Sequence, residues 1–351
     1  MSNADVHLVG SIPLPSAADV FQQVSAVLGG RIKRIPDGET GPRLRWIMAL
    51  ESVFSGNPSF EKADERYIRS VAPSKDSFRY QVRAGIDPAT VRFGTLPDVQ
   101  AALDSYKVFA RLKREGKIRP DVRFQVALAN PFSVVRVFVV ENQQAQLEPV
   151  YTEALKDAVG KITNAIPHGE LAIQWDVASG VFERLERGMT GRFGSSPREV
   201  LDFFGRNTVE LGNVVPAGVE LIFHLCYGDN SHKHTVEPSS MTYLVDFANH
   251  VAAHINRPVH LYHMPVPRDR SDAAYFAPLN RLSIASNSEV ALGLVHITDG
   301  FEGTLARARE AKKHLREFLI STECGFGRRP PEQVPQLLKL HADVAGKLRT
   351  E

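Results

Sequence analysis

His224-Leu225-Cys226 is the stretch of this sequence whose residue types and spacing most directly suggest chemistry. Residues two apart in an extended strand point to the same side, so the imidazole and the thiol would face one way. A soft thiolate beside a neutral imidazole suits zinc, and Cys324, the only other cysteine, could supply a second sulfur from a distant strand. His263 is the expected fourth ligand, with His260, Asp229, His296, Asp299 and Glu302 as competitors. His232 and His234 fall in a polar loop and are expected to be solvated. A second set is acidic: Asp37, Glu39 and Asp176 could hold a substrate ammonium or exchange protons. The alternative for Asp37 and Glu39 is a loop cap or an ion pair with Arg43 or Arg45.

Such residues need a scaffold that collects strand ends at one place. Runs rich in Val, Ile and Leu recur at 6–10, 31–36, 124–130, 171–176, 219–226, 258–263, 290–296 and 318–324, with helical patterns between them. Ser196-Pro197-Arg198-Glu199, for example, has capping-box spacing and a proline at the first helical position. Eight strands alternating with helices predict an α/β fold, a (β/α)8 TIM barrel whose chemistry sits where strands end. The interval 38–121 carries breakers, a helix over about 98–115 and no convincing strand, so it is expected to be a helical insertion between strands two and three. The whole chain, 1–351, is expected to be one domain.

Composition narrows the partners. Among 351 residues, 42 basic and 40 acidic side chains leave a net charge of +2, which gives no footprint for nucleic acid. The most apolar stretch, 134–140, is broken by Arg136 and is far shorter than the roughly 20 residues of a membrane span. The amino terminus lacks the basic and then apolar run of a secretory signal, and two cysteines are too few for a disulfide scaffold. A cytoplasmic protein is expected, and composition sets no oligomeric state.

Taken in order, His7-Leu8-Val9-Gly10-Ser11, Gly38-Glu39, Ile173-Gln174-Trp175-Asp176, His224-Leu225-Cys226-Tyr227 and Glu323-Cys324-Gly325 resemble the catalytic domain of cobalamin-independent methionine synthase. The motifs span nearly the whole chain. The resemblance implies that His224, Cys226 and Cys324 bind Zn²⁺, and that Gly10, Ser11, Glu39 and Asp176 surround a thiol amino acid. Two departures stand out. His263 occupies the place of that family's glutamate ligand, and Val137 stands where a tryptophan lines its folate site, which weakens a folate assignment. The expected activity is zinc-dependent transfer of an alkyl group, methyl in the family, to a substrate thiol. In that scheme Asp176 would act at the thiol substrate, and His296 or Asp299 would move protons near the alkyl donor. A thiol-addition or lyase reaction of the epoxide-opening type and a non-catalytic zinc carrier are the alternatives.

Overall fold

A computed structural model describes residues 5–67, 77–229 and 233–351. Seven parallel strands form one sheet: β1 (Arg34–Pro36), β4 (Arg123–Ala129), β5 (Leu171–Val177), β6 (Glu220–Leu225), β7 (Leu261–Pro265), β8 (Glu289–Val295) and β9 (Leu319–Thr322), paired in that order. A second sheet holds only the antiparallel pair β2 (Phe60–Tyr67) and β3 (Ser77–Val82). Eleven α-helices accompany them among the described residues. Residues 1–4, 68–76 and 230–232, His232 among them, lie outside the described set.

The sheet curls. Val6 makes single parallel bridges to Ile32, just before β1, and to Ile320 in β9, so the amino-terminal segment touches both edges. The strand expected at 6–10 is therefore reduced to these bridges, and the regular ladder has seven strands rather than the eight of the anticipated barrel. Hydrogen bonding explains the reduction. The carbonyls of Leu8 and Val9 accept from the Gln125 side chain, and Val9 also accepts from Gln174, so side chains inside the curl take the place of a neighbouring strand.

β5 is buried along its whole length, as strands covered on both faces must be. Alternation then sorts its residues, placing Ala172, Gln174 and Asp176 on one face. On the same parity lie Ile222 and His224 of β6 and Leu261 and His263 of β7, with Ile222 opposite Leu261 and His224 opposite both His263 and Asp176. Ala172, Ile222, Leu261, Ala291 and Leu319 form their own small apolar cluster, one residue from each of five strands. At the strand starts the buried Arg34 guanidinium pairs with Glu220 and, at 2.9 Å, with Glu289. Lys33 and Arg123 join the same two carboxylates, so ion pairs close that end of the sheet, whereas near the strand ends His224 keeps a buried nitrogen without a partner among the described residues.

The helix starting at Pro197 is capped as expected, with Ser196 accepting from the Glu199 amide. The interval 38–121 departs from expectation. It contains the helix Pro97–Arg114 but also the β2–β3 pair, so it is not a purely helical insertion. β2 reads FEKADERY and buries only Phe60 and Ala63, which hides its strand character under exposed charges. No helix among the described residues is long and apolar enough to cross a membrane.

Candidate functional site

The donor atoms of His224, Cys226 and Cys324 all lie within 4.8 Å of one another. β6 and β9 are separated in the sheet by β7 and β8, so these residues meet only because the sheet curls. Cys226 follows the end of β6, where the Gly228 amide donates to its sulfur at 3.2 Å. Its hydrogen bond to Cys226, reinforced by burial, pushes the Cys324 thiol well above its ordinary pKa.

A relay of hydrogen bonds sets the state of His224. The carbonyl of Thr322 can only accept, so His263 donates to it from Nε2 at 2.9 Å. Burial drops the His263 pKa to about 4, which keeps the ring neutral and leaves a lone pair on Nδ1. His224 donates to that lone pair from its own Nδ1 at 2.7 Å. Burial, with His263 and His7 nearby, likewise holds the His224 pKa well below the usual value. The remaining lone pair of His224 is on Nε2, a buried atom with no hydrogen-bond partner among the described residues. One orphaned imidazole nitrogen beside two sulfurs is a donor set that can hold a soft or borderline metal ion.

His263 therefore has a different place from the one expected. Both its ring nitrogens are committed to hydrogen bonds, and it stands outside the group formed by His224, Cys226 and Cys324. Replacing His263 with leucine should leave Nδ1 of His224 without its acceptor and free the tautomer. We expect affinity for a divalent ion, measured against a chromophoric chelator, to fall by about 10- to 100-fold. Unchanged affinity would show that the relay does not tune the centre.

A cavity partly open to solvent surrounds these donors and is also lined by Gly10, Ser11, Glu39, Trp46 and Asp176. Asp176 accepts from Gln174 Nε2 at 2.8 Å and from the Trp46 indole at 3.2 Å. Burial outweighs these bonds and raises its pKa to about 7. Glu39 is pushed well above the carboxylate range by burial and by the neighbouring Asp176 and Asp37. Glu39 (φ 49) and Trp46 (φ 51) are the positive-φ residues other than glycine among those described, and both line this cavity. Backbone strain of this kind gathers where function fixes side-chain direction.

Ser11 is held by the turn after Cys324. Its carbonyl accepts from the Phe326 amide, and its hydroxyl accepts from the Gly327 amide at 3.3 Å. A Cβ on Gly325 would sit 2.4 Å from that hydroxyl, so glycine is required there by close approach. Asp37 takes the alternative role. It binds Arg43 at 2.6 Å, Ser105 at 2.7 Å and the Glu39 amide at 2.8 Å, and it does not line the cavity.

His296 and Asp299 also lie outside the cavity lining. His296 donates to the Val266 carbonyl at 2.9 Å, and Asp299 is gripped by Arg307 through two bonds of 2.6 and 2.9 Å. His234, expected to be solvated, is buried between Glu237 at 2.8 Å and Glu323 at 2.9 Å. Burial opposes its charge, but the two carboxylates lift its pKa to about 10. Trp46, Ser133 and Arg136 are cavity residues that sequence reasoning missed. Only Arg136 left a signal, as the single charge inside an apolar run.

No family model and no curated protein matches the sequence. Solved structures do match in fold. A protein described as a vitamin-B12-independent methionine synthase from Listeria monocytogenes superposes with a TM-score of 0.61 at 13% identity, over 99% of this chain and 98% of that one. A B12-independent methionine synthase from a Shewanella species, solved in complex with selenomethionine, gives 0.64 at 13% identity over 99% and 98%. A methyltransferase from Methanosarcina mazei gives 0.58 at 12% identity over 99% and 94%. The fold of this chain is that of methionine-synthase-like proteins and methyltransferases.

Proposed function

We propose that this chain is a zinc-dependent transferase that moves an alkyl group, methyl in the simplest case, onto a substrate thiol. The observation that carries the proposal is the convergence of His224 Nε2 with two thiols on the wall of a cavity that also holds acidic groups. Three protein ligands with a fourth position open is the arrangement of catalytic rather than structural zinc. When bound, Zn²⁺ would supply the Lewis acidity that lowers a thiol pKa and fixes the sulfur in place.

The chain's own residues do the rest. Glu39 and Asp176 bind the ammonium of a thiol amino acid, and that cation in turn favours their ionised forms. Trp46 and Gln174 keep the Asp176 carboxylate aimed into the cavity. The held sulfur then forms its bond to carbon as the donor's leaving group departs with the electron pair. On this reading the chain is one domain, with the Val6 segment standing in for the eighth barrel strand, and it works in the cytoplasm, where both free cysteines stay reduced.

Adding homocysteine near pH 7 in weak buffer should release about one proton per site more from zinc-loaded than from metal-free protein, because zinc binds the thiol as thiolate whereas any protons that Glu39 and Asp176 give up to the ammonium leave both forms alike. Equal release from the two forms would contradict the proposal.

A further inference from the structure

The helix Pro131–Phe138 faces the cavity with two residues that the thiol chemistry does not use, Ser133 and Arg136. Ser133 is 5% exposed, and its hydroxyl has no hydrogen-bond partner among the described residues. A buried hydroxyl without a partner is costly unless a ligand completes it. Arg136 lies across the first turn of the helix Ser179–Glu186, where a Cβ on Gly180 would come within 2.3 Å of its Nη1. Glycine at that position is what lets the guanidinium occupy the cavity wall. The cap of the same helix, Ala178, provides no side-chain acceptor for the first-turn amides, and both Ala178 and Gly180 line the cavity.

Charge on this wall is not balanced. Arg136 pairs with Glu183 at 3.0 Å, but Arg187 shares that carboxylate at 3.6 Å and Arg184 lies close by. Arg192 is matched by Glu148 at 2.6 Å. Even with Glu141, which also acts on Arg184, guanidinium groups outnumber carboxylates here. Burial and the adjacent Arg136 charge lower the Arg184 pKa, as expected where positive charge is in excess.

We infer that Ser133, Arg136 and the amino-terminal turn of the helix Ser179–Glu186 form an anion subsite that receives a carboxylate, sulfonate or phosphate carried by the alkyl donor. The inference rests on the thiol-transfer reading, since that is what makes a second substrate necessary. The cavity then has two recognition poles: Glu39 and Asp176 for the ammonium of the thiol substrate, and Arg136 with Ser133 for the negative group of the donor. A guanidinium, a hydroxyl and a helix amino terminus converge on oxyanions in general, so the class of donor follows from chemistry common to all three.

The test is calorimetric titration of the purified protein with inorganic phosphate, and with succinate against its neutral diamide. Phosphate and succinate should bind, and the diamide should bind at least about 10-fold more weakly. Arg136→Gln should cut phosphate affinity by roughly 10- to 100-fold. Gly180→Ala keeps every charge but displaces the guanidinium, so it should weaken phosphate binding even if Arg136→Gln folds poorly. Phosphate binding lost in Arg328→Gln but kept in Arg136→Gln and Gly180→Ala would overturn the assignment, as would no phosphate binding at all. Homocysteine should leave phosphate affinity unchanged. Mutual exclusion would give the subsite to the thiol's own carboxylate and overturn its role for the donor. The phosphate and succinate titrations need no zinc, and the homocysteine competition is run on zinc-loaded protein, so failure of anion binding would leave the thiol reading standing, whereas loss of the zinc-dependent proton release would sink that reading without touching anion binding.

Discussion

Cys324→Ser is expected to strip the centre of its metal. Zinc bound by three or four protein ligands is worth about 10–16 kcal/mol, so one thiolate accounts for roughly 3–4 kcal/mol, or about 10²- to 10³-fold in affinity. Serine keeps the size of the side chain but offers a poor, protonated oxygen. The loss should therefore appear in zinc content after dialysis and in chelator competition, with the fold intact by circular dichroism. Thiol alkylation should disappear with the metal. Cys226→Ser should do the same, because both sulfurs belong to the one group with His224. A Cys324→Ser protein that still holds stoichiometric zinc would remove this residue from the centre.

Asp176→Asn should give a more stable and less capable protein at alkaline pH. Asp176 titrates near 7 in the folded chain and near 3.9 when unfolded, so burial penalises its ionised form. Between those values the folded state holds a proton that the unfolded state has released, and stability falls as pH rises. About three pKa units correspond to roughly 4 kcal/mol lost by pH 8. Asparagine never ionises and escapes this loss, although its amide can accept from only one of Gln174 and Trp46, at a cost of about 1 kcal/mol. Denaturant melts should show the variant more stable by roughly 3 kcal/mol at pH 8 and within about 1 kcal/mol of the parent at pH 4. Affinity for homocysteine should drop, because the ammonium loses a charged partner. A variant less stable than the parent at pH 8 would show that Asp176 is not held against its own ionisation.

Much of this arrangement was legible before any coordinates. The alternation that puts His224 and Cys226 on one side needs only strand geometry, and Cys324 stood out as the remaining soft ligand after a strand. What the sequence hides is contact across the curl. In the sequence His263 ends the apolar run 258–263 and so looks like a ligand, but only the register and the Thr322 carbonyl reveal that both its nitrogens are taken. His234 sits among polar neighbours in the sequence, yet one of its partners, Glu323, comes from the far end of the chain. His296 and Asp299 follow a strand end as catalytic groups often do, and Arg307, about two turns further along, claims Asp299 for structure. Arg136 interrupts an apolar run, and nothing local says that Gly180 has been left bare to make room for it.

The central claim is that two sulfurs and an imidazole hold one ion that still accepts a thiol. X-ray absorption at the zinc edge, with and without homocysteine, tests it most directly. The resting centre should show two sulfur neighbours and one imidazole nitrogen, and homocysteine should add a third sulfur at the usual zinc–sulfur distance of about 2.3 Å. A shell that stays the same when the thiol is added would mark a metal carrier and contradict the account.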